Sequence, residues 1–214
     1  MMNNDSKAYL KQFSDLYDDN IIINNNIESS SFTLNDFYED IKDCKKCSLS
    51  DTRTKLVFGV GNPNADIVIV GEAPGKNEDL TGEPFVGRGG KLLDKILNSI
   101  NLNREKVFIL NVLKCRPPEN RDPNPGEIEK CEPYLKKQLE IIKPKLIVAL
   151  GRISAMTLLK VKDSLTNMRN KIHKYEGVDL IVTYHPAALL RNPNFKRPTW
   201  EDFKLIRDKY LDGK

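Results

Sequence analysis

DIVIVGEAPG, residues 66–75, decides how this chain is read. Four β-branched residues in a row at 67–70 leave no polar face, which marks a strand covered on both sides. A turn bounded by Gly71 and Gly75 follows at once. Three further runs of the same character stand at 107–111 (VFILN), 145–150 (KLIVAL) and 180–184 (LIVTY). Between and after them, helical spacing of apolar residues recurs at 89–100, 125–142, 152–159 and 199–210. Strands alternating with helices predict an α/β fold, a three-layer arrangement in which a four-stranded parallel sheet is flanked by helices. In such folds ligands bind beyond the carboxyl ends of the strands. The unusual residues fall there: Gly71-Glu72-Ala73-Pro74-Gly75, Asn111, Gly151 and His185-Pro186.

The chain has 214 residues, enough for one domain with a core of ordinary size. Its 34 Lys and Arg against 30 Asp and Glu leave a net charge of +4, so the placement of charge matters more than its total. No apolar run approaches membrane length, and the start MMNNDSKAYLKQF lacks the apolar stretch of a secretory signal. A cytoplasmic, nucleoid-associated protein is expected. Residues 1–32 are polar and asparagine-rich and read as a flexible N-terminal extension, with a single domain over 33–214. Thr33 and Asp36 have capping-box spacing, so a short helix opens that domain and leads to Cys44.

In a reducing compartment four cysteines suggest a metal centre rather than disulfides. Cys44 and Cys47 form a CxxC, and Cys115 and Cys131 lie fifteen residues apart in the intervening sequence. Four thiolates close one tetrahedral site, and spacing leaves zinc and a 4Fe-4S cluster equally open. Such a staple would tie the region before the first strand to the loop after the second.

The strand ends carry the other chemistry. Phe85, in GEPFVGRGG, stands as a stacking platform or as a core anchor. The Asn111 carboxamide donates and accepts together, as reading a pyrimidine edge requires, although asparagine also forms plain turns at strand ends. His185, one of two histidines, is held by the stiff backbone of Pro186. His173, in a charged segment, is expected at the surface. Lys114, Arg116 and Arg121, with Arg191, Lys196 and Arg197, form two basic clusters suited to phosphate contacts at a cleft mouth.

GEAPGKNEDLTGEPFVGRGGKLLD from Gly71, NVLKCRPPENRDP from Asn111 and YHPAALLR from Tyr184, in that order and with that cysteine spacing, resemble a family 4 uracil-DNA glycosylase. The resemblance runs from Cys44 to the last helix. It implies the uracil-DNA glycosylase-like fold, uracil-containing DNA as partner, and a monofunctional glycosylase that flips uracil and leaves an abasic site. It further implies a 4Fe-4S cluster on Cys44, Cys47, Cys115 and Cys131, with zinc the lesser alternative. Phe85 would stack on uracil, Asn111 would read its edge, and His185 would hold its O2. Glu72, Ala73 and Gly75 would line the pocket, and Leu189 would be the wedge in the base stack, alongside the DNA contacts of Arg116, Arg121 and Arg191. Ala73 stands where better-known relatives carry a water-activating aspartate, leaving Glu72, Glu78 and Asn120 as candidates to position water. A monomer is expected, and no segment is convincing as a sliding-clamp peptide. Two rivals remain: a covalently trapping uracil-DNA binder, disfavoured by the lack of histidine between Asn111 and Cys131, and a zinc-clasped nucleotide-processing protein.

Overall fold

The computed structural model describes residues 32–211, so the expected extension over residues 1–32 lies outside the described residues except for Phe32. The domain opens as its sequence predicts. Thr33 Oγ1 accepts from the Asp36 backbone at 3.2 Å while Asp36 Oδ2 accepts from the Thr33 backbone at 2.9 Å, starting α1 (Leu34–Ile41). A short α2 (Leu49–Thr52) follows.

Six strands make one sheet: β1 (Val60–Gly61), β2 (Ile67–Gly71), β3 (Phe108–Asn111), β4 (Leu146–Leu150), β5 (Ile172–Tyr175) and β6 (Val178–Thr183). Their order is β1-β3-β2-β4-β6-β5. The inner four are the expected parallel strands, buried along their length apart from the first two residues of β6. The sheet is wider than the sequence suggested, because β1 and β5 close its two edges in antiparallel sense. β5 and β6 form a hairpin whose two-residue turn has positive φ at both Glu176 (47°) and Gly177 (83°). That geometry matches the right-handed twist of the flanking strands. His173 therefore sits partly buried on β5, its Nε2 2.7 Å from the Met168 carbonyl oxygen, and not loosely at the surface.

Alternate strand residues serve two cores, as the pleat demands. Val68, Val70, Leu110, Ile147 and Val182 pack with α1, with α5 (Pro125–Ile142) and with α6 (Arg152–Leu159). Ile67, Ile69, Ile109, Val148 and Ile181 pack with α4 (Arg88–Asn98), which follows the short α3 (Lys76–Thr81), and with the terminal α9 (Lys196–Tyr210). Two four- to six-residue helices, α7 (Leu165–Met168) and α8 (Pro186–Arg191), complete the chain. With helices on both faces, the functional loops are left at the carboxyl edge of β2, β3, β4 and β6.

Candidate active site

At that edge lies a cavity of about 660 Å³ lined by residues following all four parallel strands. Glu72, Ala73, Gly75, Glu78 and Phe85 come from the chain after β2, Asn111 from the end of β3, and His185 from the loop after β6. A larger open groove, about 940 Å³, runs along α1 and the segment before β1. It holds no imidazole or carboxamide beyond that of Asn35, so the chemistry belongs to the smaller cavity at the strand ends.

Phe85 is buried at 6% exposure, and its backbone takes a left-handed φ of 57° that phenylalanine rarely adopts. Arg104 holds it there. Its guanidinium donates to the Phe85 carbonyl at 2.5 Å and the Pro84 carbonyl at 3.1 Å, and is itself anchored to Asp94 at 2.7 Å. Arg104 was invisible to sequence reasoning, being about twenty residues away with no motif around it. The Phe85 and His185 rings lie 5.4 Å apart, inclined by 28°.

His185 caps α8: its Nδ1 accepts the Ala187 N–H at 3.1 Å. The ring proton of the neutral form is thereby placed on Nε2. Burial, aided by the Arg191 charge, pulls the imidazole pKa down to about 4, so the ring is a neutral Nε2–H donor near pH 7. Gly151, at φ 92°, lets the chain turn from β4 into α6 beneath it; a Cβ there would stand 3.1 Å from the His185 Cβ.

Asn111 is 2% exposed, and its carboxamide has no hydrogen-bond partner among the described residues. Such a group is costly to leave unmatched and is therefore available to a ligand. The three candidate water-positioning residues differ. Glu78 Oε1 accepts from the Gly87 N–H at 3.2 Å, and Asn120 Oδ1 accepts from Arg116 Nε at 2.8 Å, so each has an atom committed to loop structure. The Glu72 carboxyl makes no such bond; burial, and then Asp122, push its pKa up to about 7 against the pull of Arg152.

The residues expected to contact DNA differ in exposure and pairing. Leu189 is 2% exposed and belongs to the interior, whereas its neighbour Leu190 is 42% exposed: the turn of α8 that buries one projects the other. Lys114 is also interior, because the chain after β3 folds inward to deliver Cys115. Arg121 grips Glu127 through two bonds of 2.9 and 2.5 Å at the start of α5, which occupies its fork. Arg191 lines the cavity and forms no ion pair with a described residue.

Cys44, Cys47, Cys115 and Cys131 surround one small hollow between α1, α2, the chain after β3, and α5. All four are free thiols. Polar groups point at their sulfurs: Arg53 at Cys115 (3.3 Å), the Lys114 N–H at Cys131 (3.3 Å), the Lys46 N–H at Cys44 (3.5 Å) and the Tyr134 hydroxyl at Cys44 (3.2 Å). Burial pushes the Cys131 thiol up to about 11 and raises Cys115 as well, so thiolates here call for a positive centre among them. Arg53 and Tyr134 carried no sequence signal, since the sulfurs they meet, on Cys115 and Cys44, lie 62 and 90 residues away in the chain.

The fold agrees with comparison to known proteins. The family profile described as the Uracil DNA glycosylase superfamily matches residues 58–204. A Type-4 uracil-DNA glycosylase of Archaeoglobus fulgidus is 50% identical over 182 residues, covering 81% of this chain and 92% of the relative. Another from Thermotoga maritima is 47% identical, covering 79% and 90%. A Type-5 uracil-DNA glycosylase of Pyrobaculum aerophilum is more distant at 30%, covering 66% and 69%. The site residues and these likenesses together place this chain in the uracil-DNA glycosylase superfamily, among its Type-4 members.

Proposed function

We propose that the protein excises uracil from DNA by hydrolysing the bond between C1′ and N1, releasing uracil and leaving an abasic site. The observation that carries this reading is the convergence of Phe85, the unpartnered Asn111 carboxamide and the neutral His185 donor on one cavity. A base must leave the stack to reach it. Phe85 offers the extruded base a face. The Asn111 amide N–H suits uracil O4 and its carbonyl suits N3–H, a pattern that cytosine inverts. As C1′–N1 breaks, the bonding electrons pass to the uracil ring and O2 gains negative charge. The Nε2–H of His185 donates there, stabilising the leaving group electrostatically. Water adds its oxygen to C1′, and its proton is taken up by a nearby base. Glu72 is the best supported residue for orienting that water, since its carboxylate makes no hydrogen bond with a described residue; Glu78 and Asn120 back it.

Cys44, Cys47, Cys115 and Cys131 would hold a 4Fe-4S cluster that stitches the N-terminal helices to α5. Among the described residues no three candidate ligands converge on a single metal ion, although four cysteines share one hollow. The likeness to Type-4 uracil-DNA glycosylases supports the cluster over zinc, which four thiolates would also suit. Uracil-containing DNA is the partner, met through Arg191, Leu190 and the loops around the cavity. The described residues include no helix long and apolar enough to cross a membrane.

The test is release of uracil from one labelled oligonucleotide. Wild type should yield an abasic site, and His185→Ala should act about a hundred- to a thousand-fold more slowly. An SDS-stable protein–DNA adduct without free uracil would replace this reading with a trapping binder.

A further inference from the structure

Lys114 is the largest fully buried side chain in the described structure, at 1% exposure. Its Nζ donates to the Asn111 carbonyl oxygen at 2.7 Å, and its own backbone N–H donates to Cys131 Sγ at 3.3 Å. It also lines the hollow shared by the four cysteines. No described carboxylate pairs with its ammonium. A buried cation needs a compensating charge, and the surroundings offer only sulfur and one carbonyl.

The geometry points to Lys114 as a positioning residue that couples the cysteine centre to base recognition. This rests on the reading of the four cysteines as cluster ligands and of Asn111 as the uracil-reading group. Four thiolates carry more negative charge than an iron–sulfide core offsets, and the Lys114 ammonium answers that charge from inside the fold. The same ammonium fixes the Asn111 peptide, and with it the direction in which the carboxamide faces the cavity. Charge at one site and alignment at the other thus share a single side chain.

Full-length protein purified without oxygen provides the test, comparing wild type with Lys114→Met for iron per chain, cluster midpoint potential, melting temperature and single-turnover excision. Lys114→Met should keep its iron but cut uracil about tenfold more slowly through kcat with KM little changed, the loss expected of one charge-assisted bond. Its midpoint potential should move to a more negative value, because an added electron loses a buried positive neighbour. A purely structural lysine would lower the melting temperature without moving the potential, and a wild-type potential or a wild-type excision rate in Lys114→Met overturns the proposal. If Lys114→Met does not fold, Lys114→Gln, which keeps a donor but no charge, should show the same potential shift with a smaller kinetic loss; an unshifted potential there overturns it equally. Wild type without iron would instead overturn the cofactor reading, and wild type with iron but no uracil release the catalytic one, each taking this inference with it.

Discussion

Gly71 and Asn111 end neighbouring parallel strands, and a Cβ placed on Gly71 would lie 2.2 Å from Asn111 Oδ1. It would also lie 2.7 Å from Phe85 Cζ, so this one glycine makes room for both groups proposed to grip the base. Gly71→Ala should cost at least about a hundredfold in excision by displacing reacting groups, while stability falls by only about 1–3 kcal/mol. Oligonucleotide cleavage beside thermal melting checks this, and full activity in the variant would refute the packing argument.

The low pKa of His185, about 4 against an ordinary 6.5, makes folding pH-dependent. The unfolded chain binds the proton more readily than the folded one between these values. This contribution is therefore present above pH 6.5 and is lost as pH falls toward 4. Denaturant titrations of wild type and His185→Gln across this range should show a shallower acid loss in the variant. Equal slopes would mean that the imidazole is not held neutral.

Glu72 has the opposite sign. With its pKa raised to about 7, the folded state holds a proton that the unfolded state releases above about 4.5, so this residue's contribution weakens as pH rises from 4.5 to 7. Its carboxylate form, the one able to orient water, grows through the same interval. The kcat of wild type should climb toward pH 7 and above, and Glu72→Gln should lose that limb along with about a hundred- to ten-thousand-fold of rate. An unchanged pH profile in the variant would shift the role to Glu78 or Asn120.

Leu189 and Leu190 are separable by their burial. Leu189→Ala should destabilise by about 2–5 kcal/mol as a core truncation. Leu190→Ala should leave melting unchanged and weaken excision from duplex more than from single-stranded DNA, because only a duplex must be wedged open. Equal losses on both substrates would deny Leu190 that task.

Replacing Cys115 or Cys131 with serine should abolish the broad absorption near 400 nm and lower the melting temperature, since both are buried, Cys115 after β3 and Cys131 on α5. Zinc in place of iron in the wild-type protein would leave no such absorption to lose.

The four inner strands were legible because burial on both faces demands short uninterrupted apolar runs, and 67–70 and 146–150 are such runs. β1 and β5 were not, since a two-residue edge strand between glycines and a strand reading IHKY carry no apolar pattern. Cys44 and Cys47 announced themselves by spacing; Arg53 and Tyr134, which point at the sulfurs, did not. The basic cluster around residues 114–121 reads as phosphate contacts in sequence, yet Lys114 turns inward and Arg121 is engaged by Glu127.

Sequence alone determined the layered α/β plan and the strand ends at which the cavity opens, and it singled out Phe85, Asn111, His185 and the four cysteines as candidates, because periodicity and motif order are local properties of the chain. Tertiary structure alone decided which way other side chains face: that Arg104 clamps Phe85, and that Leu190 rather than Leu189 meets solvent. Those outcomes depend on contacts between residues far apart in the chain or on which turn of a helix meets the core, and no local pattern encodes either.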